Sequence, residues 1–373
     1  MLVGSEPDVI VKMRGAFIRS MIARGHRVTA VAAFDDPTSR VTLQGWGAAY
    51  RTVPMQRTGL NPVADLKTAW ALYRLMRAER PDLTFSYTVK PVVYGLMAAT
   101  MAGVPGRFAM IAGRGYAFLE GRELKRRLSR AIASLIYRIS LATAHGVAFQ
   151  NEDDRAFFLE HRMIGPRTPT IRVYGSGVEL TRFAHTPVPA GPARFLMIAR
   201  LLRDKGIDQY IAAARLLRTL APEARCILVG PFDPSPDGFA PEEVDGWIRE
   251  GIIDYAGEMA DVRPALQAAH VYVLPSRGEG MPRSTLEALA TGRAVVTTDV
   301  PGCRDTVREG WNGFLVPVDD APALAAAMAA TATDPQTLAR MGRASRELAE
   351  TLFDVDKVNA DLMAMMGLID AKA

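Results

Sequence analysis

Two glutamates, Glu279 and Glu287, stand eight positions apart in the stretch GEGMPRSTLE (residues 278–287), on either side of a Gly-Met-Pro turn. Pro282 has its φ preset and no N–H to lose, which predicts the first helical position there. RSTLEALA continues with mostly good helix formers, and Gly292 supplies the stop. Glu279 then belongs to the loop, and Glu287 lies about 7–8 Å further along the axis at a rise of ~1.5 Å per residue. Between them opens a helix N-terminus, whose free N–H groups and positive dipole end favour an anion. Carboxylates at the rim of an anion site repel it unless they accept hydrogen bonds from something else. A phosphate flanked by hydroxylated rings satisfies both demands, and a nucleotide sugar is built in that way.

The elements that must position this stretch repeat one rhythm, short β-branched runs alternating with helical patterns. In the first half the runs are HRVTAVAA (26–33), DLTFSY (82–87), GRFAMIA (106–112) and GVAFQ (146–150), with helices between them, for example 14–25 and 63–79. TPVPAGPAR (186–194) is rich in Pro and Gly and reads as a linker. Beyond it come RFLMIAR (194–200), ARCILVG (224–230), IIDYAG (252–257), HVYVLPS (270–276) and AVVTTD (294–299). Strands joined by helical crossovers make parallel sheets, so two such sets predict an α/β protein of two Rossmann-like domains facing a cleft. The expected boundaries are 1–187 and 190–350, with a C-terminal helix at about 353–373 packing back on the first domain. Ligands of such folds bind beyond the carboxyl ends of the strands. Arg200, Gly230, Gly257 and Ser276 sit at those ends, and the GEGMP loop leaves the fourth strand directly. Lys205 follows Arg200 by five residues. Two fixed cations there would neutralise a diphosphate, Arg by paired hydrogen bonds and Lys as a point charge.

Composition bounds the reading. The chain has 373 residues, 49% apolar and 23% charged, which is globular rather than disordered. Two cysteines, Cys226 and Cys303, argue against a disulfide framework and for a reducing compartment. CxxC and HExxH are absent and the five histidines (26, 145, 161, 185, 270) are scattered, so no metal is expected. Asp354–Asp356 forms a D-x-D that reads as the cap of a terminal helix. The sequence shows neither a signal peptide nor an apolar run long enough to span a bilayer. MLVGSEP opens with barely three strand-like residues, as though a first strand were clipped. The net charge of +5 hides an asymmetry. Residues 1–185 carry 26 Lys/Arg against 14 Asp/Glu, and residues 186–373 carry 19 against 26. One half is basic and the other acidic, which predicts different partners.

RLLRDKG, LVG, GEMADV, LPS and EGMPRSTLEA, in this order and spacing, resemble the donor domain of glycosyltransferase family 4, a GT-B family whose hallmark is Glu-x7-Glu. The match runs over about 194–320. The first half resembles a narrower branch, bacterial transferases that extend sugars on undecaprenyl diphosphate. It does so through KMRGAFIRSMIARGHRVTAVA, RTGLNPVADL, YTVKPVVYGLMAATMAGVP, AGRGYAF and YGSGVELTRF. The resemblance implies that Arg200 and Lys205 bind the diphosphate and stabilise it as leaving group. It implies that Glu279 bonds donor-sugar hydroxyls and Glu287 the ribose hydroxyls. Backbone N–H groups near Thr285–Leu286 would meet the diphosphate, main chain near Glu258–Met259 the base, and Gly280 and Met281 would line the same pocket. It further implies retention of anomeric configuration without a metal, by front-face transfer in which the departing phosphate helps take the acceptor proton. Paired carboxylates in glycosidases include a nucleophile, a role not assigned to Glu279. The chain departs from the family pattern in places. AGRGYAF has no His and places Arg114 where a small or apolar residue is expected, and YGSGVEL has Tyr174 and Glu179 where Pro and Asp are commoner. The general base in the first half therefore stays open.

The segment 121–144 is helical in period. Leu124, Leu128, Ile132, Leu135 and Ile139 make one face, with Arg126, Arg127, Arg130 and Arg138 largely off it and Lys125 at the flank. A basic amphipathic helix at about 122–142 predicts contact with an anionic membrane surface. The expected protein is thus a hexosyltransferase that moves a sugar from a nucleotide sugar, a UDP-sugar, to a lipid-linked saccharide for cell-surface polysaccharide, peripheral on the inner face of the cell membrane. Rivals are a UDP-sugar 2-epimerase of the same fold and a transferase with a soluble acceptor. An oxidoreductase would need G-x-G-x-x-G after the first strand, and a nucleic-acid binder an aromatic-interleaved basic patch; neither is present.

Overall fold

The computed structural model describes residues 1–56, 61–113, 124–332 and 334–370, the side chains of 124–129 and 332 excepted. Arg114 and Lys125, Arg126 and Arg127 with their apolar neighbours Leu124 and Leu128 therefore lie outside the described side chains. The chain folds as two compact units, Met1–Ser176 with Val355–Ala373, and Gly177–Asp354.

The first unit runs β1 (Leu2–Val3), α1 (Pro7–Ala23), β2 (Thr29–Ala32), α2 (Pro37–Gly45), β3 (Ala49–Thr52), α3 (Pro62–Glu79) and β4 (Leu83–Tyr87). A π-turn (Pro91–Gly95) leads into α4 (Leu96–Ala102), then β5 (Gly106–Ile111), α5 (Leu124–Leu141), β6 (Gly146–Phe149), α6 (Glu152–Glu160) and β7 (Thr170–Arg172). Among the described residues seven parallel strands form one sheet in the order β3-β2-β1-β4-β5-β6-β7.

The second unit runs β8 (Arg194–Ile198), α7 (Ile207–Leu220), β9 (Arg225–Val229), α8 (Pro241–Arg249), β10 (Asp254–Tyr255), α9 (Arg263–Ala268) and β11 (Val271–Leu274). It continues with α10 (Arg283–Thr291), β12 (Ala294–Thr298), β13 (Gly313–Val316), α11 (Ala321–Ala332) and α12 (Pro335–Leu348). Among the described residues six parallel strands are ordered β10-β9-β8-β11-β12-β13. β11 and β12, VYVL and AVVTT, are buried at every position, as a parallel sheet covered on both faces requires. In each sheet the strand order reverses once, between β1 and β4 and between β8 and β11, and such switch points open crevices at the strand C-termini. Both units are thus doubly wound α/β domains.

The chain crosses between units at Ser176/Gly177 and returns at Asp354/Val355, not within the Pro-rich stretch. The two crossings are tied by the Val178 N–H, which donates to the Phe353 carbonyl at 2.7 Å. Pro and Gly give residues 186–194 the composition of a linker, but arginines from two helix ends hold the segment down. Arg293, fully buried, donates to the Thr186 carbonyl (2.9 Å) and the Pro187 carbonyl (3.2 Å). Arg346 donates to the carbonyls of Phe183 (3.0 Å) and Ala290 (2.8 Å). The segment is therefore part of the second unit. Asp354 directly precedes α13 (Val355–Met365), whose Val358, Leu362 and Met363 join the core that α1 builds with Ile10 and Phe17. The sequence reading also passed over β3, β7 and β13, edge strands of only three or four residues.

Both cysteines are buried free thiols, and burial pushes each up to about 12. No described helix is long and apolar enough to cross a membrane.

Arg293→Met should take from the partly buried Thr186 and Pro187 carbonyls the donor that holds them. Losing charged hydrogen bonds of this kind costs on the order of 2–3 kcal/mol, which lowers the melting temperature of a unit this size by roughly 4–10 °C. Calorimetry on the variant checks it; an unchanged melting curve would show that the clamp does not hold the segment.

Candidate active site

The sequence-predicted residues gather around the β8/β11 switch point of the second unit. Past β8 the chain carries Arg200 and a short 3-10 turn, Arg203–Lys205, closed by Gly206. Gly206 has φ +74, and a Cβ there would lie 1.9 Å from the Pro275 carbonyl oxygen. Only glycine lets the loop leaving β8 touch the loop leaving β11 this closely. Across that contact the Lys205 Nζ lies 2.8 Å from the Glu279 Oε1, and the Ser276 hydroxyl donates to the same oxygen at 3.0 Å. Gly302, φ +77, performs the same service from the other side, where a Cβ would meet the carbonyl oxygens of Glu279 and Gly280 at 2.4 and 2.6 Å.

Lys205 and Glu279 are both largely buried. Burial works against the Lys205 ammonium, but the carboxylates of Glu279 and Asp204 outweigh it and raise its pKa. The lysine therefore stays a cation throughout the neutral range. Asp204 is pushed up by burial, with Lys205 opposing. Arg200, half exposed, holds Asp233 at 2.6 Å in the loop that leaves β9. Burial opposes the Asp233 charge, but hydrogen bonds from Ser235 and the Arg200 guanidinium prevail and hold it low. Asp233 thus fixes the arginine on the rim of the crevice.

The helix α10 begins one residue later than expected. Pro282 is the capping residue, with extended backbone (ψ 106), and Arg283 is the first helical one. Gly292 closes the helix in the left-handed conformation, φ 84. The Thr285 and Leu286 N–H groups donate to the Pro282 carbonyl at 3.1 and 3.2 Å, so an anion at this mouth would have to share them. Glu287 is only 8% exposed, and the Arg283 Nε donates to its Oε1 at 2.9 Å. Burial raises the Glu287 pKa; the charges of Arg283 and, more weakly, Arg182 oppose that rise. Met281 is buried beneath the loop, whereas Glu258 is exposed and Met259 half-buried in the loop leaving β10.

The structure thus brings Arg200, Lys205, Glu279, Gly280, Met281, Thr285, Leu286 and Glu287 to one strand-end crevice, with Glu258 and Met259 on the neighbouring loop. Sequence reasoning placed Ser276 at a strand end without a role and missed Asp233 and Arg283. Arg283 was recoverable as an i,i+4 partner of Glu287; Ser276 and Asp233 depend on contacts across strands. No group of His, Cys, Asp and Glu arranged to hold a metal occurs among the described residues. Chemically the site offers two fixed cations for an anion and two carboxylates for hydroxyl groups.

Comparison with known proteins fits this arrangement. Residues 12–175 match the family described as glycosyl transferase 4-like domain, and residues 192–334 the family described as glycosyl transferases group 1. The chain is 28% identical to the N,N'-diacetylbacillosaminyl-diphospho-undecaprenol alpha-1,3-N-acetylgalactosaminyltransferase of Campylobacter jejuni, over 82% of this chain and 81% of that protein. It is 26% identical to the UDP-Gal:alpha-D-GlcNAc-diphosphoundecaprenol alpha-1,3-galactosyltransferase of Escherichia coli, over 82% and 80%. In fold it resembles the sucrose-phosphate synthase of Thermosynechococcus elongatus, with a TM-score of 0.80 at 19% identity and 98% of each chain covered. It also resembles Alr3699/HepE of Anabaena in complex with UDP, with a TM-score of 0.77 at 18% identity and 99% of each chain covered. With a 4-like domain in its first half, a group 1 domain in its second and Glu-x7-Glu at the switch point, the chain belongs to the family 4 glycosyltransferases of GT-B fold.

Proposed function

We propose that this glycosyltransferase moves a hexose from a nucleotide sugar, a UDP-sugar, to a saccharide linked to a lipid diphosphate of undecaprenyl type. The reaction proceeds with retention and without a metal, at the inner face of the cell membrane. The observation that carries this reading is the Lys205–Glu279 ion pair beside the buried Glu287 at one switch point. The relatives from Campylobacter jejuni and Escherichia coli, named for undecaprenol-linked acceptors, support the acceptor class, and the second of them supports a UDP donor.

Arg200 and Lys205 would take up the charge that develops on the departing diphosphate, the part a metal plays elsewhere. Both are held in place before substrate arrives, Lys205 by Glu279 and Arg200 by Asp233. Glu279 keeps one carboxylate oxygen on Lys205 and Ser276, leaving the other for a sugar hydroxyl. That pairing makes it a poor nucleophile, in keeping with front-face transfer. Glu287, braced by Arg283, would accept from ribose hydroxyls.

The membrane part of the reading rests on α5. Its core face is Tyr137 and Leu141, both buried, whereas Ile132, Leu135 and Ile139 are 41%, 58% and 53% exposed. The apolar stripe is not spent on the sheet and is free to enter a headgroup layer. Arg138 is exposed beside it; Arg130 is turned partly toward the protein.

Glu287→Ala should raise KM for the donor with kcat little changed, and Glu279→Ala should mainly lower kcat, since the ribose contact is common to ground and transition states and the reacting sugar is not. Only the Glu287 carboxylate accepts from two hydroxyls, so donor binding is full above its raised pKa and fades as pH falls through it. Arg283→Met removes an opposing charge and moves that loss to higher pH. Normal kinetics for both glutamate variants would remove the site.

Arg200→Ala or Lys205→Ala should each slow transfer on the order of 100-fold or more, as loss of a charge-stabilising donor does, while EDTA leaves the rate unchanged. Activity abolished by chelator and restored by Mg²⁺ or Mn²⁺ would overturn the metal-free route.

Pelleting with anionic vesicles should weaken with salt, because surface charges are screened over ~8 Å at physiological ionic strength. It should also weaken in Leu135→Glu/Ile139→Glu. Equal pelleting of wild type and variant on anionic and neutral vesicles would exclude docking through α5.

A further inference from the structure

The first unit carries a second unpartnered apolar stripe. On α3, Val63, Leu66 and Trp70 are 66%, 71% and 56% exposed. Their spacing of three and four places them on one face. The helix has its own buried side in Thr68, Leu72 and Met76, so the outer stripe is not needed for folding. Trp70 stands against Tyr73, ring centroids 5.2 Å apart, a pair with apolar bodies and polar tips. Such residues favour a boundary between water and hydrocarbon.

The charges on the same face have one sign. Lys67, Arg74 and Arg77 are exposed. The two acids of α3 are withdrawn, Asp65 into a buried pair with Lys90 at 2.7 Å and Glu79 into a pair with Arg51 at 2.7 Å. The helix α4 packs against both α3 and α5, has no charged residue and exposes Met101. Among the described residues, these three neighbouring helices therefore offer apolar side chains and arginine or lysine to solvent, and no fully exposed acid.

We propose that α3 is a second lipid-docking element, its Val63–Leu66–Trp70 stripe entering the headgroup boundary of an anionic bilayer while Lys67, Arg74 and Arg77 meet lipid phosphates. The proposal rests on the membrane reading of α5 and extends it from one helix to a layer. An anionic surface fits this face because each exposed charge on it is attracted. A second copy of the chain would set the same cations against each other.

The test uses the full chain and vesicles of phosphatidylethanolamine with phosphatidylglycerol, or of phosphatidylcholine alone. Leu66→Glu/Trp70→Glu should weaken partition to the anionic vesicles at least tenfold, with the melting temperature and monomer sedimentation of wild type. Trp70→Phe should keep most of the binding but lose the blue shift of tryptophan emission seen when vesicles are added to wild type. Unchanged partition in the glutamate variant, alongside loss in Leu135→Glu/Ile139→Glu, would overturn the role of α3 and leave that of α5 standing. Failure of wild type to bind any vesicle would overturn both. A wild-type dimer that the α3 variant dissociates would assign the stripe to a second copy and overturn the proposal.

Discussion

The ion pair between Lys205 and Glu279 is the contact on which the site depends. Its partners lie on loops that leave two adjacent strands, and neither charge could be buried alone. The effective cost of taking one such ion out of water is several kcal/mol. Together, at 2.8 Å and with Ser276 donating to the same oxygen, each supplies what the other needs. The pair then fixes the loops, and the loops fix everything else. Gly206 must yield to Pro275 for the lysine to reach, and Gly302 must yield to Glu279 for the carboxylate to stay. A cation held in advance needs no reorganisation when negative charge develops beside it, which is where electrostatic catalysis gains most.

Two arginines, the fully buried Arg293 and the partly buried Arg346, do comparable work away from the crevice. Arg293 and Arg346 spend their donors on main-chain carbonyls of the segment 180–187. Unpaired, those carbonyls would each be costly, and the segment would behave as the linker its composition announces. The positions where the chain passes between units are thereby pushed to Ser176/Gly177 and Asp354/Val355.

These two cases mark what was legible in the sequence. Parallel strands announce themselves as continuous apolar runs, so RFLMI, RCILV, VYVL and AVVTT were readable to within a residue or two. The order of Arg200, Lys205, Glu279 and Glu287 along the chain, in loops that leave strands and in the helix that follows, pointed to the switch point. Pro282 was placed one residue too far into α10, because a preset φ suits a capping position as well as the first turn. What stayed hidden were long-range polar contacts. Asp233 meets Arg200 across 33 residues and Arg293 meets Thr186 across 107, and no local spacing encodes either. The outward turn of the α5 stripe at Ile132, Leu135 and Ile139 was expected from its amphipathic pattern, yet periodicity alone does not fix it. Periodicity gives two candidate faces, and only the packing of Tyr137 and Leu141 decides which one the sheet takes.

The two carboxylates also differ in a way that spacing could not express. Glu279 is paired with a cation that is itself fixed. Glu287 is more deeply buried and answers to an arginine one helical turn away. Burial favours its neutral form and Arg283 its charged form, and the balance stands on the raised side. An acceptor for two hydroxyls must be the charged form. The residue that in this reading grips the donor thus works against its own surroundings, and the pH at which that grip fails is raised by burial and held back by a side chain, Arg283, that need not touch the donor at all.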